Sequence, residues 1–222
     1  MKKILITLLA VAALSSTCLA QTVTLSYNDG DGDPAAGSYM PGSSFSFGLT
    51  MTTAGQMGDH TTAGTSYWFE SASSGYFFVG NRVFGASFFD DNQSSPDFAA
   101  NGGLGEEILP GGNASDLGGT DENINGVAPE GQPPNTSYFL ATLTINIAPG
   151  TPNGIYTIFP TTGATKNSIA TDFDASFNSS DIDFPATPYT ITVVPEPSTF
   201  ALVVLGGLGA LGLNVLRAKR RQ

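Results

Sequence analysis

Carboxylates set among glycines are the first groups in this chain that could do chemistry. Asp29, Asp31 and Asp33 alternate with Gly30 and Gly32. Oxygen ligands on a chain that turns tightly suit Ca²⁺, because a hard cation takes about six to eight oxygen atoms. The spacing therefore predicts a calcium site at Asp29, Asp31 and Asp33.

The same stretch departs from an EF-hand calcium loop at two positions. Pro34 stands where that loop needs glycine, and Met40 stands where it needs a bidentate glutamate. An acidic turn without metal is therefore the alternative interpretation. A second acidic group lies near the other end of the chain and consists of Asp172, Asp174, Asp181 and Asp183.

Groups for acid–base or nucleophilic catalysis are few. His60 is the only histidine and Cys18 the only cysteine, and no Gly-x-Ser-x-Gly elbow occurs. A zinc site with several histidines is excluded within one chain. A glycosidase needs only two carboxylates at a set separation, but their abundance here does not single out a pair. We therefore expect no enzymatic activity, with an acidic secreted hydrolase as the alternative.

Two runs of aromatic residues could bind sugar rings by stacking. They are Tyr67-Trp68-Phe69 and Tyr76-Phe77-Phe78. Successive side chains of a strand point to opposite faces, so part of each run could face outward. Packing into the core is the favoured interpretation, since aromatic residues are ordinary in strands, and a sugar-stacking face is the alternative.

The charge of the chain is unevenly distributed. Residues 21–194 hold eighteen acidic residues against two basic ones, Arg82 and Lys166, which gives a formal charge of −16. Such a surface repels a phosphate backbone, so we expect no nucleic-acid partner. The remaining cations lie at the two ends of the chain.

The N-terminus has the pattern of a secretion signal. Two lysines precede an apolar run of eleven residues, and small residues follow up to Ala20. That run is too short to span a bilayer as a helix, so we predict a signal peptide at 1–20, cut between Ala20 and Gln21. The alternative is a lipoprotein acylated at Cys18, but Ser15 stands where that signal usually has leucine.

The C-terminus has the pattern of a sorting signal with a membrane anchor. Pro195, Glu196 and Pro197 precede an uncharged stretch at 200–216. As a transmembrane helix this stretch would be about 25 Å long, near the hydrocarbon thickness of a bilayer. Cations in the last six residues favour a cytoplasmic end, and the prolines keep the motif extended. An ordinary single-pass anchor is the alternative.

The order of Pro-Glu-Pro, apolar helix and basic tail over residues 194–222 resembles the PEP-CTERM sorting signal. The resemblance implies processing by an exosortase, an integral-membrane cysteine transpeptidase. It also implies a transient membrane anchor, export alongside exopolysaccharide, and a final location at the cell surface or outside the cell.

Between the two signals, apolar residues recur at every second position, as in half-buried strands. Residues 44–51 and 187–193 follow this pattern, and so does 138–147, where Phe139 and the later odd positions are expected to face inward. A turn is expected at Gly80-Asn81. Shorter strands are predicted at 22–27, 66–71, 76–80, 82–90 and 155–159.

These short strands predict one all-β domain at residues 21–193, an antiparallel β-sandwich. Two stretches, Pro41–Phe47 and Phe139–Tyr156, resemble cohesin-like and related carbohydrate-binding sandwiches; the resemblance implies a jelly-roll or cohesin-like architecture and no particular ligand. Residues 91–134 interrupt the strands as a long Gly/Pro-rich acidic loop region. Its composition predicts disorder or loose packing.

Three classes of function are compatible with these features. The first is a structural, adhesive or biofilm-associated protein of the cell surface or extracellular matrix, delivered by its tail. The second is a carbohydrate- or protein-binding module. The third is the acidic secreted hydrolase.

Overall fold

The computed structural model describes residues 21–28, 35–85, 96–120, 133–174, 176 and 178–195. Within them the chain forms thirteen strands and one helical turn. In chain order these are β1 Thr22–Asn28, β2 Ala35–Tyr39, β3 Ser44–Ala54, β4 Thr61–Ser66, β5 Phe69–Ser71, β6 Phe77–Phe84, α1 Ala100–Gly103, β7 Glu106–Glu107, β8 Gly119–Thr120, β9 Ser137–Ile147, β10 Gly154–Pro160, β11 Ile169–Phe173, β12 Ser179–Asp183 and β13 Tyr189–Val193.

The strands form an antiparallel sandwich, as the sequence predicts. One layer is a five-stranded sheet in the order β1-β3-β9-β6-β7, here called the long sheet. The other strands form two four-stranded sheets, β2-β13-β10-β5 and β12-β11-β4-β8. Among the described pairs only β2 and β13 run parallel. Two residues, Tyr67 and Trp68, join β4 to β5, so the chain passes from one of these sheets into the other.

The predicted alternation builds the core. All inward residues of β3, from Phe45 to Met51, are buried, and so are those of β13, from Tyr189 to Val193. Rings from opposite layers meet there: Phe47 lies 4.6 Å from Tyr189 and 5.9 Å from Phe69 between ring centroids. Each such ring contributes about 1.5–3 kcal/mol by leaving water, so this aromatic cluster stabilises the contact between layers.

Two irregularities of register change what the alternation predicts. A bulge between Leu49 and Thr50 shifts the pairing with β9, so Phe139 lies on the outer face and is 45% exposed. The expectation that Phe139 faces inward is wrong, because one extra residue in a ladder reverses the side on which neighbours lie. The expected turn at Gly80 is also wrong: β6 continues through it with a second bulge.

Residues 96–120, within the long loop region, pack closely against the sandwich, contrary to the expected loose packing. Ile108 and Leu117 are fully buried. The buried carboxylate of Glu106 accepts hydrogen bonds from Ser115 N and, at 3.1 Å, from Asn113 Nδ2. Buried polar contacts of this kind carry no periodic signal, so composition alone did not reveal them.

Both basic residues of the domain hold this segment. Arg82 Nη1 donates to the backbone carbonyl of Asp116 at 3.2 Å, and its guanidinium lies 4.2 Å from the Phe84 ring centre. Lys166 Nζ donates to the carbonyls of Gly112 at 3.1 Å and Asn113 at 2.5 Å. These two cationic side chains therefore stabilise the fold by donating hydrogen bonds to backbone carbonyl groups of the segment.

The sandwich has two distinct ends. Loops 40–43, 72–76 and 148–153 meet at the end where β13 finishes, because β10 begins opposite Val193 and Gly42 N donates to Ile147 O at 3.1 Å. We call this the tail end. At the opposite end, called the distal end, loop 55–60 lies beside the first residues of β1.

Candidate functional site

The sorting signal begins where the sandwich stops. Val193 is the last residue of β13, and Val194 N donates to the carbonyl of Tyr39 at 2.9 Å. Pro195 follows and is exposed. The chain therefore leaves the tail end from a fixed point, with one residue between the last strand and the Pro-Glu-Pro motif.

The remainder of the sorting signal, Glu196 and Pro197 with the predicted anchor at 200–216, lies outside the described residues. So do the predicted signal peptide up to Ala20 and the predicted calcium ligands Asp29, Asp31 and Asp33. In the described part of the chain, no helix is both long and apolar enough to cross a membrane.

A buried polar cluster occupies the distal end. Asp172, on β11, is fully buried, and its carboxylate accepts three hydrogen bonds. The donors are Gln56 Nε2 at 2.5 Å, His60 Nδ1 at 2.5 Å and Gln21 Nε2 at 2.8 Å. A buried carboxylate needs such partners, because an unpaired one would cost several kcal/mol.

The cluster also fixes the neighbouring loops. Gln56 and Asn135 bond reciprocally: Gln56 N donates to Asn135 Oδ1 at 2.9 Å, and Asn135 Nδ2 donates to Gln56 O at 2.9 Å. Gln56 Nε2 further donates to Thr62 Oγ1 at 3.1 Å. Loop 55–60 and Gln21, just before β1, are therefore bonded to one carboxylate, and Asn135, just before β9, is bonded to that loop.

His60 lies between two carboxylates, Asp172 and Asp59. Its hydrogen bond to Asp172, followed by the negative charges of Asp172, Asp59 and Asp174, raises the pKa of the imidazole above its usual value. Its second ring nitrogen, Nε2, faces Asp59 at 4.0 Å. Among the described residues no hydroxyl or thiol is hydrogen-bonded to His60.

The second acidic group does not form one site. Asp172 is interior, whereas Asp174 closes a turn by accepting Asn178 Nδ2 and Asn178 N at 2.8 and 2.9 Å. Those bonds hold the pKa of Asp174 below its usual range. Asp183 accepts Asn167 Nδ2 at 2.6 Å. No group of three His, Cys, Asp or Glu in the described ranges is arranged to hold a metal ion.

An open groove of about 550 Å³ runs between the start of β1 and β12. Asp181 and Asp183 line it, together with Gln21 and Phe184. Both aspartates are exposed and lie on one face of a strand. Exposed carboxylates stay hydrated, so this groove lacks the enclosure that makes one carboxyl group a proton donor in glycosidases.

The aromatic runs serve the core. Tyr67, Phe69, Phe77 and Phe78 are buried, and Trp68 is half-buried. The favoured interpretation, packing into the core, therefore holds for these buried rings. Among the aromatic residues that the structure describes, Phe139 is the one whose ring is exposed, at 45%.

Phe139 lies on the outer face of four strands of the long sheet, where the outward side chains are uncharged. The face consists of the outward residues of β1, β3, β9 and β6, and we call it the hydroxyl face. Its members include Thr22, Thr24, Ser26, Ser44, Ser46, Thr50, Thr52, Ser137, Phe139, Thr142, Thr144, Asn81 and Val83. Nearly all of them carry short polar groups.

Cross-strand hydrogen bonds order this face. Ser46 Oγ lies 2.8 Å from Thr144 Oγ1, and Thr52 Oγ1 lies 2.7 Å from Ser137 Oγ. Phe139 lies over Gly48, where an added Cβ would approach the ring to 2.8 Å. The Phe139 ring therefore packs against the sheet at Gly48, with hydroxyl groups on neighbouring residues. Alternating Thr and Ser in the strands carried this signal in the sequence, but the position of Phe139 depended on the bulge.

Comparison with known proteins identifies the C-terminal segment. Residues 193–221 match the PEP-CTERM protein-sorting motif. This confirms the predicted resemblance. The chain therefore carries a signal that implies export, processing by an exosortase, and C-terminal membrane anchoring before processing.

Several solved structures that are similar to this chain are cohesins. The seventh ScaB type I cohesin of Pseudobacteroides cellulosolvens is 10% identical, covers 81% of this chain and 95% of that one, and gives a TM-score of 0.50. A cohesin module of a family 33 glycoside hydrolase from Clostridium perfringens is 14% identical over 79% and 98%, with a TM-score of 0.45.

A type I cohesin–dockerin complex from Clostridium thermocellum gives 12% identity over 78% and 99%, with a TM-score of 0.46. At such identities, the likeness to the Pseudobacteroides cohesin shows a shared fold alone. No curated protein matches the chain in sequence.

Proposed function

We propose that this chain is a non-enzymatic component of the cell surface or extracellular matrix, whose sandwich binds exopolysaccharide after the tail has delivered it. The observation that carries the proposal is the hydroxyl face with Phe139 exposed on it. A flat array of hydroxyl groups around one aromatic ring offers hydrogen bonds and a stacking surface to a sugar chain.

The charge distribution narrows the class of ligand. The domain carries a formal charge of −16, yet the outward residues of the four long strands β1, β3, β9 and β6 are uncharged. An acidic polysaccharide would be repelled by the rest of the surface. A neutral exopolysaccharide meets no such penalty and fits a face of uncharged hydroxyls.

The absence of a hydroxyl or thiol beside His60, within the described residues, supports a binding role over a hydrolytic one. The imidazole donates a hydrogen bond to Asp172, whose carboxylate connects β11 to Gln21 and to loop 55–60. This chemistry stabilises the fold and leaves the hydroxyl face as the surface available for recognition.

Binding of exopolysaccharide from the producing cells tests the proposal. Phe139→Ala should weaken the binding of the purified exported protein about tenfold, the loss expected when truncating a central contact costs about 1.4 kcal/mol. Met57→Ala, at the exposed distal end, is the matched control and should bind as the unaltered chain does. Equal binding by both variants, or no binding by the unaltered chain, contradicts the proposal.

Delivery by the tail is tested separately. Glu196→Ala, and deletion of the four C-terminal cations, should leave protein that keeps its tail and remains in the membrane fraction. The measurement is the mass and location of the protein in fractionated cells. Normal tail removal in both variants would leave an ordinary anchor as the interpretation of the C-terminus.

A further inference from the structure

We propose that the tail end of the sandwich is a membrane-contacting surface, which rests on the bilayer while the chain is still anchored. The inference depends on the anchor that precedes processing, and it is independent of the proposed binding of exopolysaccharide.

The length of chain between the sandwich and the anchor limits the distance between the tail end and the bilayer. Val194 is fixed to Tyr39, and the uncharged stretch begins at Phe200, so only residues 195–199 lie between them. Five residues reach at most about 18 Å when fully extended. The polar region of one bilayer leaflet takes about 6 Å of this, which leaves the tail end within about 12 Å of the lipid surface.

The loops at the tail end lack charge. Loops 40–43, 72–76 and 148–153 contain Gly, Pro, Ser, Ala, Thr, Asn, Met and Tyr and no acidic or basic residue. Glu107, from outside these loops, accepts a hydrogen bond from the backbone N–H of Gly75 in loop 72–76, and Glu70 accepts one from the backbone N–H of Gly111. In a domain with eighteen acidic residues, this end is thus suited to a lipid surface that would repel or desolvate carboxylates.

Apolar and aromatic side chains surround the exit of the tail. Ile155 is 75% exposed and pairs with Thr192 on β13, while Met40 is 41% exposed and follows the residue that binds Val194. Three tyrosines stand around them, half-buried, and they are Tyr39, Tyr76 and Tyr156. Tyrosine and exposed aliphatic groups are the residues that favour the bilayer interface.

Site-specific labelling of the full chain in vesicles tests the proposal. Cys18→Ser removes the native thiol, and a polarity-sensitive fluorophore is attached at Met40→Cys or Ile155→Cys. The vesicles contain phosphatidylethanolamine, phosphatidylglycerol and a lipid-linked nitroxide quencher. Quenching should be several-fold stronger at these two positions than at the matched control Met57→Cys, which is exposed at the distal end. Ile155→Asp should weaken quenching at Met40→Cys, whereas Met57→Asp should not.

Three outcomes would overturn the inference. Equal quenching at all three positions would show that the tail end stays in water. If the fluorophores at the tail end report an apolar environment only when an exosortase is added to the vesicles, the tail end is a protein interface. A chain that fails to float with the vesicles would remove the anchor on which the inference rests, while leaving the binding of exopolysaccharide by the exported protein open to its own assay.

Discussion

At the scale of single residues, one carboxylate organises the distal end. Asp172 accepts hydrogen bonds from Gln21 and from Gln56 and His60 of loop 55–60, all more than a hundred residues away from it in sequence. Removing a partner would leave a buried charge short of a hydrogen bond, at a cost of about 1–3 kcal/mol. Gln21 is the residue that would become the N-terminus after the predicted cut, so the start of the mature chain would be held inside the fold.

The first prediction concerns the pH dependence of stability. Asp172 raises the pKa of His60 in the folded state, so protonated His60 stabilises the fold. This contribution is complete below the unfolded value of about 6.5 and is lost as pH rises through the higher folded value. The difference in Tm between the unaltered chain and His60→Gln should therefore be larger near pH 6 than near pH 9.

Thermal melting monitored by circular dichroism over this range measures the difference. Met57→Ala, in the same loop but exposed, should show no pH-dependent loss. A Tm difference that stays constant across the range would contradict the role given to the protonated imidazole.

At the scale of elements, the segment at 105–120 is held by close backbone approach as well as by polar contacts. Gly118 sits against β4, where an added Cβ would lie 1.9 Å from the carbonyl oxygen of Thr65. The half-buried side chain of Asp116 accepts hydrogen bonds from Tyr67 N at 2.9 Å and from Gly118 N at 2.7 Å. The turn therefore has no room for a side chain at Gly118.

The second prediction follows from this contact. Gly118→Ala should lower the free energy of unfolding by about 1–3 kcal/mol, because the strand or the turn must move to admit the methyl group. Gly58→Ala is the matched control: nothing lies within 4 Å of its added Cβ, so its effect should stay within about 0.5 kcal/mol. Urea unfolding measures both. Equal free energies of unfolding for the two variants would mean that the turn accommodates the methyl group at Gly118 without loss of stability.

At the scale of the whole molecule, the two ends of the sandwich differ in charge. The tail end has loops without charge, and the distal end holds the His60 cluster with Asp59 and Asp174 close by. The hydroxyl face runs between the two ends on one side. An anchored chain would thus present its charged end away from the membrane, and its long uncharged face sideways.

The third prediction concerns the net charge of the whole domain. A formal charge of −16 destabilises the compact state by self-repulsion, which a cation bound at Asp29, Asp31 and Asp33 would relieve. A ligand that binds only the folded state adds about 2.7 kcal/mol at a hundred times its Kd. The protein should therefore melt at a higher temperature in millimolar Ca²⁺ than in chelator.

Asp31→Ala should abolish most of this difference, whereas Asp97→Ala, which removes an exposed carboxylate elsewhere, should retain it. Differential scanning calorimetry with and without Ca²⁺ provides the comparison. If the unaltered chain melts at the same temperature in both conditions, the calcium site is refuted and the sandwich is unaffected.

The sequence by itself determined the sorting signal, the all-β class and most inward faces. The sorting signal is a linear pattern, and strand alternation records burial residue by residue, as in Phe45–Met51 and Tyr189–Val193. Both kinds of information are local, because they depend on neighbours within a few positions.

Only the tertiary structure decided which residues share a site. Strand pairing brings Gln21 and Gln56 into hydrogen-bonding distance of Asp172. The exposure of Phe139 depends on a bulge in the pairing of β3 with β9. The packing of residues 96–120 depends on Glu106, Arg82 and Lys166 meeting backbone groups remote in sequence. Such contacts leave no periodic trace, since each is a single pairing across the fold whose partner only the completed sheets bring within reach.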